Sequence, residues 1–245
     1  METGDATIGP GPVELRAVER RVLGALVEKS TTTPDAYPLT TNAVIAACNQ
    51  KSARDPVSNY EAHEVDEALL DLKAKGMVLQ VFAETGRTAR WRHNVRDALQ
   101  LDRSQAAVLA ELFLRGPQTE GDLRARASRM APLADLETLR EVLERLADRG
   151  FVRRLSPPGR KRGVVWGHLF LNDREKADLD RIAEREASAS DSPDEDGGAA
   201  SGERGAPIRQ VVEKIEAQME EVLARLAALE EKLASSPPQA AGGGP

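Results

Sequence analysis

One apolar pattern recurs 74 positions along this chain, and it constrains the fold more than any other feature. Val65, Ala68, Leu69, Leu72, Gly76, Met77 and Val78 fall on Leu139, Val142, Leu143, Leu146, Gly150, Phe151 and Val152. In each copy the first four positions line one face of a helix, because residues three and four apart are neighbours on its surface. The glycine then suits the left-handed position just past a helix end, and the next two residues open a strand. A helix and strand joined so tightly leave apolar faces that neither covers alone, so each copy requires further elements packed around it.

Those elements are legible on both sides. Leu15, Val18, Val22, Leu23 and Leu26 follow helical spacing from Glu14 to Lys29, and the TTTPDAYP run predicts the end of that first helix. Thr40 is placed to cap a short second helix running to about Cys48, and Ser58 with Glu61 reads as a capping box opening the third. Beyond Gly76, Met77 to Phe82 and Ala89 to His93 read as strands around a TGRT turn. The order then repeats. Asp102 and Gln105 open a helix bearing Val108, Leu109 and Leu112, Thr119 caps a short helix holding Leu123, and a third helix starts near Asp135. The strands FVRRL and VVWGHLF flank SPPGRKRG. The predicted fold class is mainly α with small β-hairpin wings (α+β): two tandem winged helix-turn-helix domains plus a C-terminal coiled-coil helix. Two unrelated helical hairpins with similar stripes are the plainer alternative.

The same reading divides the chain into a disordered N-terminus (1–12), domain one (13–98), domain two (99–172), an acidic flexible linker (173–207) that begins as a polar helical extension beyond Asn172, a coiled-coil helix (208–234) and a disordered tail (235–245). Ile208, Val212, Ile215, Met219, Val222, Leu226, Leu229 and Leu233 alternate steps of four and three, the spacing of a coiled-coil seam. The seam predicts a homo-oligomer, a dimer first, against the alternative of a helix docked on its own domains.

Composition excludes several functions. No apolar run approaches the ~20 residues that span a bilayer, and the N-terminus lacks the apolar region of a secretory signal, so a cytoplasmic protein without membrane contact is expected. Cys48 is the single cysteine and has no partner for a disulfide or zinc site. His63, His93 and His168 lack metal-ligand spacing, and GPGP lacks the pattern of a phosphate loop. The acids Glu61, Glu64, Glu67 and Asp71 read as a solvated helix face. No catalytic, metal or cofactor residue is assigned, and a non-enzyme is expected.

The net charge of −6 is unevenly distributed. Residues 13–98 hold 12 basic and 12 acidic groups, 99–172 hold 13 and 9, and 173–207 hold 5 and 11. The cations concentrate in the hairpins: Arg87, Arg90, Arg92 and Arg96 in the first, Arg153, Arg154, Arg160, Lys161 and Arg162 in the second. Arginine forks suit phosphate, so double-stranded DNA held through its backbone is the expected partner, and a solubilising surface is the competing account. The third helices oppose base reading. Glu61, Glu64, Asp66, Glu67 and Asp71 make the first acidic, and the second mixes both signs. A protein-interaction scaffold, with the acidic helix meeting a basic partner, is the alternative function. Between the second and third helices, Gln50, Lys51 and Arg54 offer donors to phosphate or to a partner. Equally, Asp55 and Ser58 can cap the third helix while Arg54 pairs locally.

The segment PLTTNAVIAACNQKSARDPVSNYEAHEVDEALLDLKAKGMV and the later LRGPQTEGDLRARASRM closely resemble the YceH-like family of uncharacterised bacterial proteins. The likeness runs from about Val13 to Leu171. It implies tandem winged helices and a C-terminal heptad helix, and it carries no established activity. The chain departs from the family pattern in SPPGRKRGVVWGH, which is less acidic, and in its long acidic linker.

Overall fold

Helix α1 (Ala17–Thr32) buries every residue from Val18 to Glu28, which a surface helix with one apolar stripe does not do. Its counterpart in the second repeat, α5 (Arg103–Arg115), is buried without a break from Gln105 to Leu114. The two pack against each other at Gly24. A Cβ there would lie 2.9 Å from Leu114 Cγ and 3.0 Å from the Ala110 carbonyl oxygen, so the missing side chain sets how closely the helices approach. This computed structural model describes residues 11–82 and 88–188.

Around α1 the first repeat places β1 (Leu39–Thr40), α2 (Thr41–Cys48), α3 (Ala62–Ala74), β2 (Val78–Phe82) and β3 (Ala89–His93). A helical turn, α4 (Val95–Ala98), leads into α5. The second repeat then follows the same order with β4 (Gln118–Thr119), α6 (Glu120–Ala127), α7 (Leu136–Asp148), β5 (Val152–Arg154) and β6 (Val165–His168). Each repeat holds a three-stranded antiparallel sheet, ordered β1-β3-β2 and β4-β6-β5. The fold is therefore α+β, as expected. The two-residue edge strands β1 and β4 lay below the sequence signal, being too short for alternation.

The caps explain where the short helices begin. The Thr40 and Thr119 hydroxyls accept from Ala43 N and Asp122 N, and Asp102 with Gln105 forms the expected box at α5. At α3 the expectation fails. The cap is Glu61, whose N–H donates to Glu64 Oε2 at 2.8 Å. Ser58 instead accepts from Arg21 and donates to the Cys48 carbonyl.

The register extends the repeat into the sheets. Trp91 pairs across from Leu39 and Gln80, and Trp166 from Gln118 and Arg154. Each indole N–H reaches the first residue of the short helix beside it, Thr41 Oγ1 at 3.0 Å and Glu120 Oε1 at 3.1 Å. His93 pairs with Val78 as His168 pairs with Val152. One cluster of buried side chains runs from Leu15 to Phe170, so the two repeats share a core, and both belong to one compact unit.

Residues 173–188, placed by sequence in the acidic flexible linker but with a polar helical extension at its start, are helical and packed rather than flexible. They form α8 (Asp173–Ser188), opened by a reciprocal cap in which Glu175 N donates to Asn172 Oδ1 and Asn172 N donates to Glu175 Oε2. Leu179, Ile182 and Ala183 pack with Leu155 and Leu171 in a second small cluster. Gly167 makes room, since a Cβ there would sit 2.9 Å from Leu179 Cδ1. The charge of the segment obscured this single apolar stripe. The seam residues Ile208, Val212, Ile215, Met219, Val222, Leu226, Leu229 and Leu233 lie outside the described residues.

The close approach at Gly24 generates a direct test. Gly24→Ala gains up to ~1 kcal/mol of helix propensity, but overpacking costs about 1–3 kcal/mol, because a backbone carbonyl cannot move aside as a side-chain tip can. The substitution therefore lowers the urea midpoint without changing the slope of the transition. A raised midpoint would show that the two helices separate freely.

Candidate nucleic-acid interface

A helix buried on all sides must find partners for its charges, and Glu19, Arg20, Arg21 and Glu28 all lie in the buried stretch of α1. Lys75 reaches Glu19 at 2.5 Å. Arg20 holds Glu175 of α8 and the carbonyls of Leu15 and Phe170. Arg21 donates to the carbonyls of Cys48 and Pro56 and to Ser58. Glu28 accepts from Arg54 at 2.6 Å and lies 2.7 Å from Arg129, which itself reaches Glu111 of α5 at 3.0 Å. Arg115 lies 3.0 Å from the other Glu111 oxygen. This buried network crosses from one repeat to the other.

Its centre removes one predicted phosphate-binding residue. Arg54 has a fully buried side chain, bonded to Glu28, to the carbonyls of Ala47 and Ala53, and to Gln50 Oε1. It cannot meet phosphate. Its ion-pair partner Glu28 is 26 residues away, beyond the local bonds to Ala47, Gln50 and Ala53, so the sequence could not pair the two charges. Gln50 has its side-chain oxygen engaged by the same guanidinium, and Lys51 is the exposed cation of that loop. Asn49 exchanges two bonds with Tyr60, and Asp55 N donates to the Leu114 carbonyl, so the loop anchors α2 and α3 to α5.

The hairpin cations separate into engaged and available groups. In the first hairpin Arg90 donates to the Pro38 carbonyl at 2.9 Å, while Arg92 on β3 and Arg96, just past the hairpin on α4, are exposed with no side-chain hydrogen bond or ion pair among the described residues. Arg87 lies outside the described residues. In the second, Arg153 pairs with Asp180 at 2.6 Å and Arg160 with Glu186 at 2.7 Å, both acids on α8. Arg154 donates to the Arg160 carbonyl. Lys161 and Arg162 are exposed, without a side-chain partner among the described residues. Helix α8 thus screens part of the second hairpin.

The third helices present acids. On α3, Glu67 and Asp71 stay largely exposed while pairing with Arg16. On α7, Arg140 is drawn to Glu120, and just past it Arg149 donates to the carbonyls of Leu99 and Gln100, which leaves Arg145 exposed among Glu137, Glu141 and Glu144. His63 is exposed on α3, whereas His93 and His168 are largely buried. Burial and the nearby Arg96 and Arg92 hold His93 down to about 4, and burial with Arg20 holds His168 down to about 3. Burial pushes the Cys48 thiol up to about 12. Among the described residues no cluster of three or more His, Cys, Asp or Glu suits a metal, and no helix is long and apolar enough to cross a membrane.

What sequence reading missed is the pair of Trp-x-His strands, Trp91-Arg92-His93 and Trp166-Gly167-His168. The shared signal was present, but the second copy is shifted by one further residue, because its hairpin is one residue longer.

The sequence model of a family described as "Protein of unknown function, DUF480" matches residues 15–160. A UPF0502 protein of Geotalea daltonii is 49% identical over 168 residues, covering 67% of this chain and 76% of the relative. Another from Geobacter sulfurreducens is 46% identical over 177 residues, covering 71% and 80%. One from Pseudomonas aeruginosa is 43% identical over 170 residues, covering 69% and 75%. The resemblance read from the sequence is borne out.

Two expectations follow from the buried groups. Arg54→Met leaves Glu28 in the core with only part of its compensation, so it destabilises by about 3–5 kcal/mol in denaturant titrations. A loss below about 1 kcal/mol would mean that Arg129 alone satisfies Glu28. Acid also weakens the fold, because His93 and His168 take up protons less readily when folded than the usual histidine at about 6.5. The unfolded chain therefore binds more protons below that value. Stability falls with pH by about 1.4 kcal/mol per unit for each histidine, from about 6.5 towards 4 for His93 and towards 3 for His168. Urea titrations at stepped pH measure the slope, and His168→Phe removes the share of His168. An unaltered slope in that variant would place His168 in water.

Proposed function

The chain belongs to the DUF480 family, the bacterial UPF0502 proteins among its relatives, and from that premise we propose a non-catalytic DNA-binding protein of two tandem winged helices that grips the phosphate backbone through its hairpins. The observation that carries this reading is the set of cations on the hairpins and on α4 just after the first, Arg92, Arg96, Lys161 and Arg162, whose side chains have no partner among the described residues. Arg92 on β3, Arg96 on α4, and Lys161 and Arg162 in the β5–β6 loop are cations that a phosphate backbone can engage. The repeated order of helix, strand, two helices and hairpin supports the winged-helix description.

This reading puts affinity in the backbone and little in base recognition. The acid face of α3 repels a groove carrying one negative charge per ~1.7 Å, which argues against base reading there, while α7 presents Glu137, Glu141 and Glu144 mixed with Arg140 and Arg145. In the same reading the C-terminal seam from Ile208 to Leu233 pairs two copies and raises avidity on a long duplex.

A second reading, a protein-interaction scaffold, draws on that same acid face and on exposed apolar groups beside it. Leu70 on α3 is 57% exposed and Phe82 at the end of β2 is 63% exposed. A basic partner with an apolar surface of its own fits there.

Fluorescence anisotropy with a labelled duplex of mixed sequence separates the two. Affinity should fall steeply between about 50 and 200 mM salt, and Arg92→Ala with Arg96→Ala should lower the salt slope by about 0.9 for each phosphate no longer neutralised. Asp180→Asn with Glu186→Gln releases Arg153 and Arg160 from α8 and should steepen the slope. No salt-sensitive association at low ionic strength ends the DNA reading and leaves the scaffold.

A further inference from the structure

Between the repeats lies a half-open cleft of about 440 Å³, within the ~300–1,000 Å³ of small-molecule sites. Its apolar wall comes from Val27 of α1, Ala107 of α5 and Met130 beyond α6. Ser30 and Thr31 also line it but give their hydroxyl hydrogens to the Val27 and Glu28 carbonyls, which leaves His93, Arg96 and Arg103 as the polar groups facing a ligand. We propose that this cleft binds a small amphipathic carboxylate, its head held by Arg96 and Arg103 and its hydrocarbon body laid against Val27, Ala107 and Met130.

The arginines carry the argument. The side chain of Arg96 has no hydrogen bond or ion pair among the described residues, and that of Arg103 uses only Nε, donated to the Met130 carbonyl at 3.1 Å. Among the described residues, both terminal nitrogens of each guanidinium therefore remain free in a concave site, where a carboxylate accepts paired bonds. The third polar group does not compete for that anion. Ser30 Oγ gives its hydrogen to the Val27 carbonyl at 2.7 Å, so the 3.2 Å contact with His93 Nε2 requires the imidazole to donate. His93 Nδ1 is then a bare acceptor, buried and unpartnered among the described residues. Neutral at physiological pH, the ring adds no positive charge to the site. It does sense charge there, because Arg96 and Arg92 help to hold its protonation down.

The occupant is a carboxylate on an apolar body rather than an inorganic anion, because Val27, Ala106, Ala107 and Met130 supply no donors from their side chains. The site shares Arg96 with the proposed duplex surface, so Arg103 is the residue that separates the two. Arg103 belongs to α5 and is not among the hairpin cations.

Octanoate is the probe, with octanol and octylamine as neutral and cationic counterparts. Isothermal titration of the full chain should give saturable one-to-one binding of octanoate, with both counterparts at least tenfold weaker. Arg103→Ala should weaken octanoate at least tenfold while leaving the duplex salt slope unchanged. Lys161→Ala with Arg162→Ala, which removes charge elsewhere, should leave octanoate binding as it was. A second readout comes from the three histidines of the chain, whose ring signals are few enough to follow by NMR. Bound octanoate should raise the titration midpoint of His93 and leave His63 unmoved. Equal binding of octanol, an unaffected Arg103→Ala variant, or a His93 midpoint indifferent to octanoate would each overturn the proposal.

Discussion

Everything in this molecule is arranged around the contact between α1 and α5. Each is buried along most of its length, and Gly24 lets them meet at backbone distance from Ala110 and Leu114. The first helix of an isolated repeat would have left a large face exposed. Here each repeat's first helix covers the other's, and one core replaces two thin ones.

That solution forces charged residues into the interior. Glu19, Arg20, Arg21 and Glu28 sit among apolar neighbours, and isolated buried charges are too costly to survive without partners. The partners come from several elements: Lys75 after α3, Glu175 on α8, Ser58, the Pro56 carbonyl and Arg54 in the loop before α3, and Arg129 after α6 across the inter-repeat boundary. The charges of α1 therefore act as a positioning device. They tie helices, loop and α8 to one spine, with geometry that apolar contacts alone would specify less sharply.

The same demand decides which cations face water. Arg54, Arg129, Arg140 and Arg149 are held by acids or carbonyls, and Arg153 and Arg160 by α8. Among the described cations on and just after the hairpins, Arg92, Arg96, Lys161 and Arg162 are those left over once the interior has been satisfied. Counting basic residues in a hairpin overstates its free charge for this reason, and the second hairpin is the clearer case.

The sequence by itself determined the elements and their repetition. Apolar spacing placed the helices, threonine and aspartate caps placed the starts of α2, α5, α6 and α7, and the offset of 74 revealed two equivalent halves. These are local properties, set within a few residues by hydrogen bonding and side-chain direction. Tertiary structure alone decided that the halves share a core, that residues 173–188 dock as a helix, and that Arg54 turns inward to Glu28 rather than outward to a ligand. Those outcomes depend on pairings between groups far apart in the chain, whose energies come from burial. Burial is a property of the packed whole, and no window along the sequence contains it.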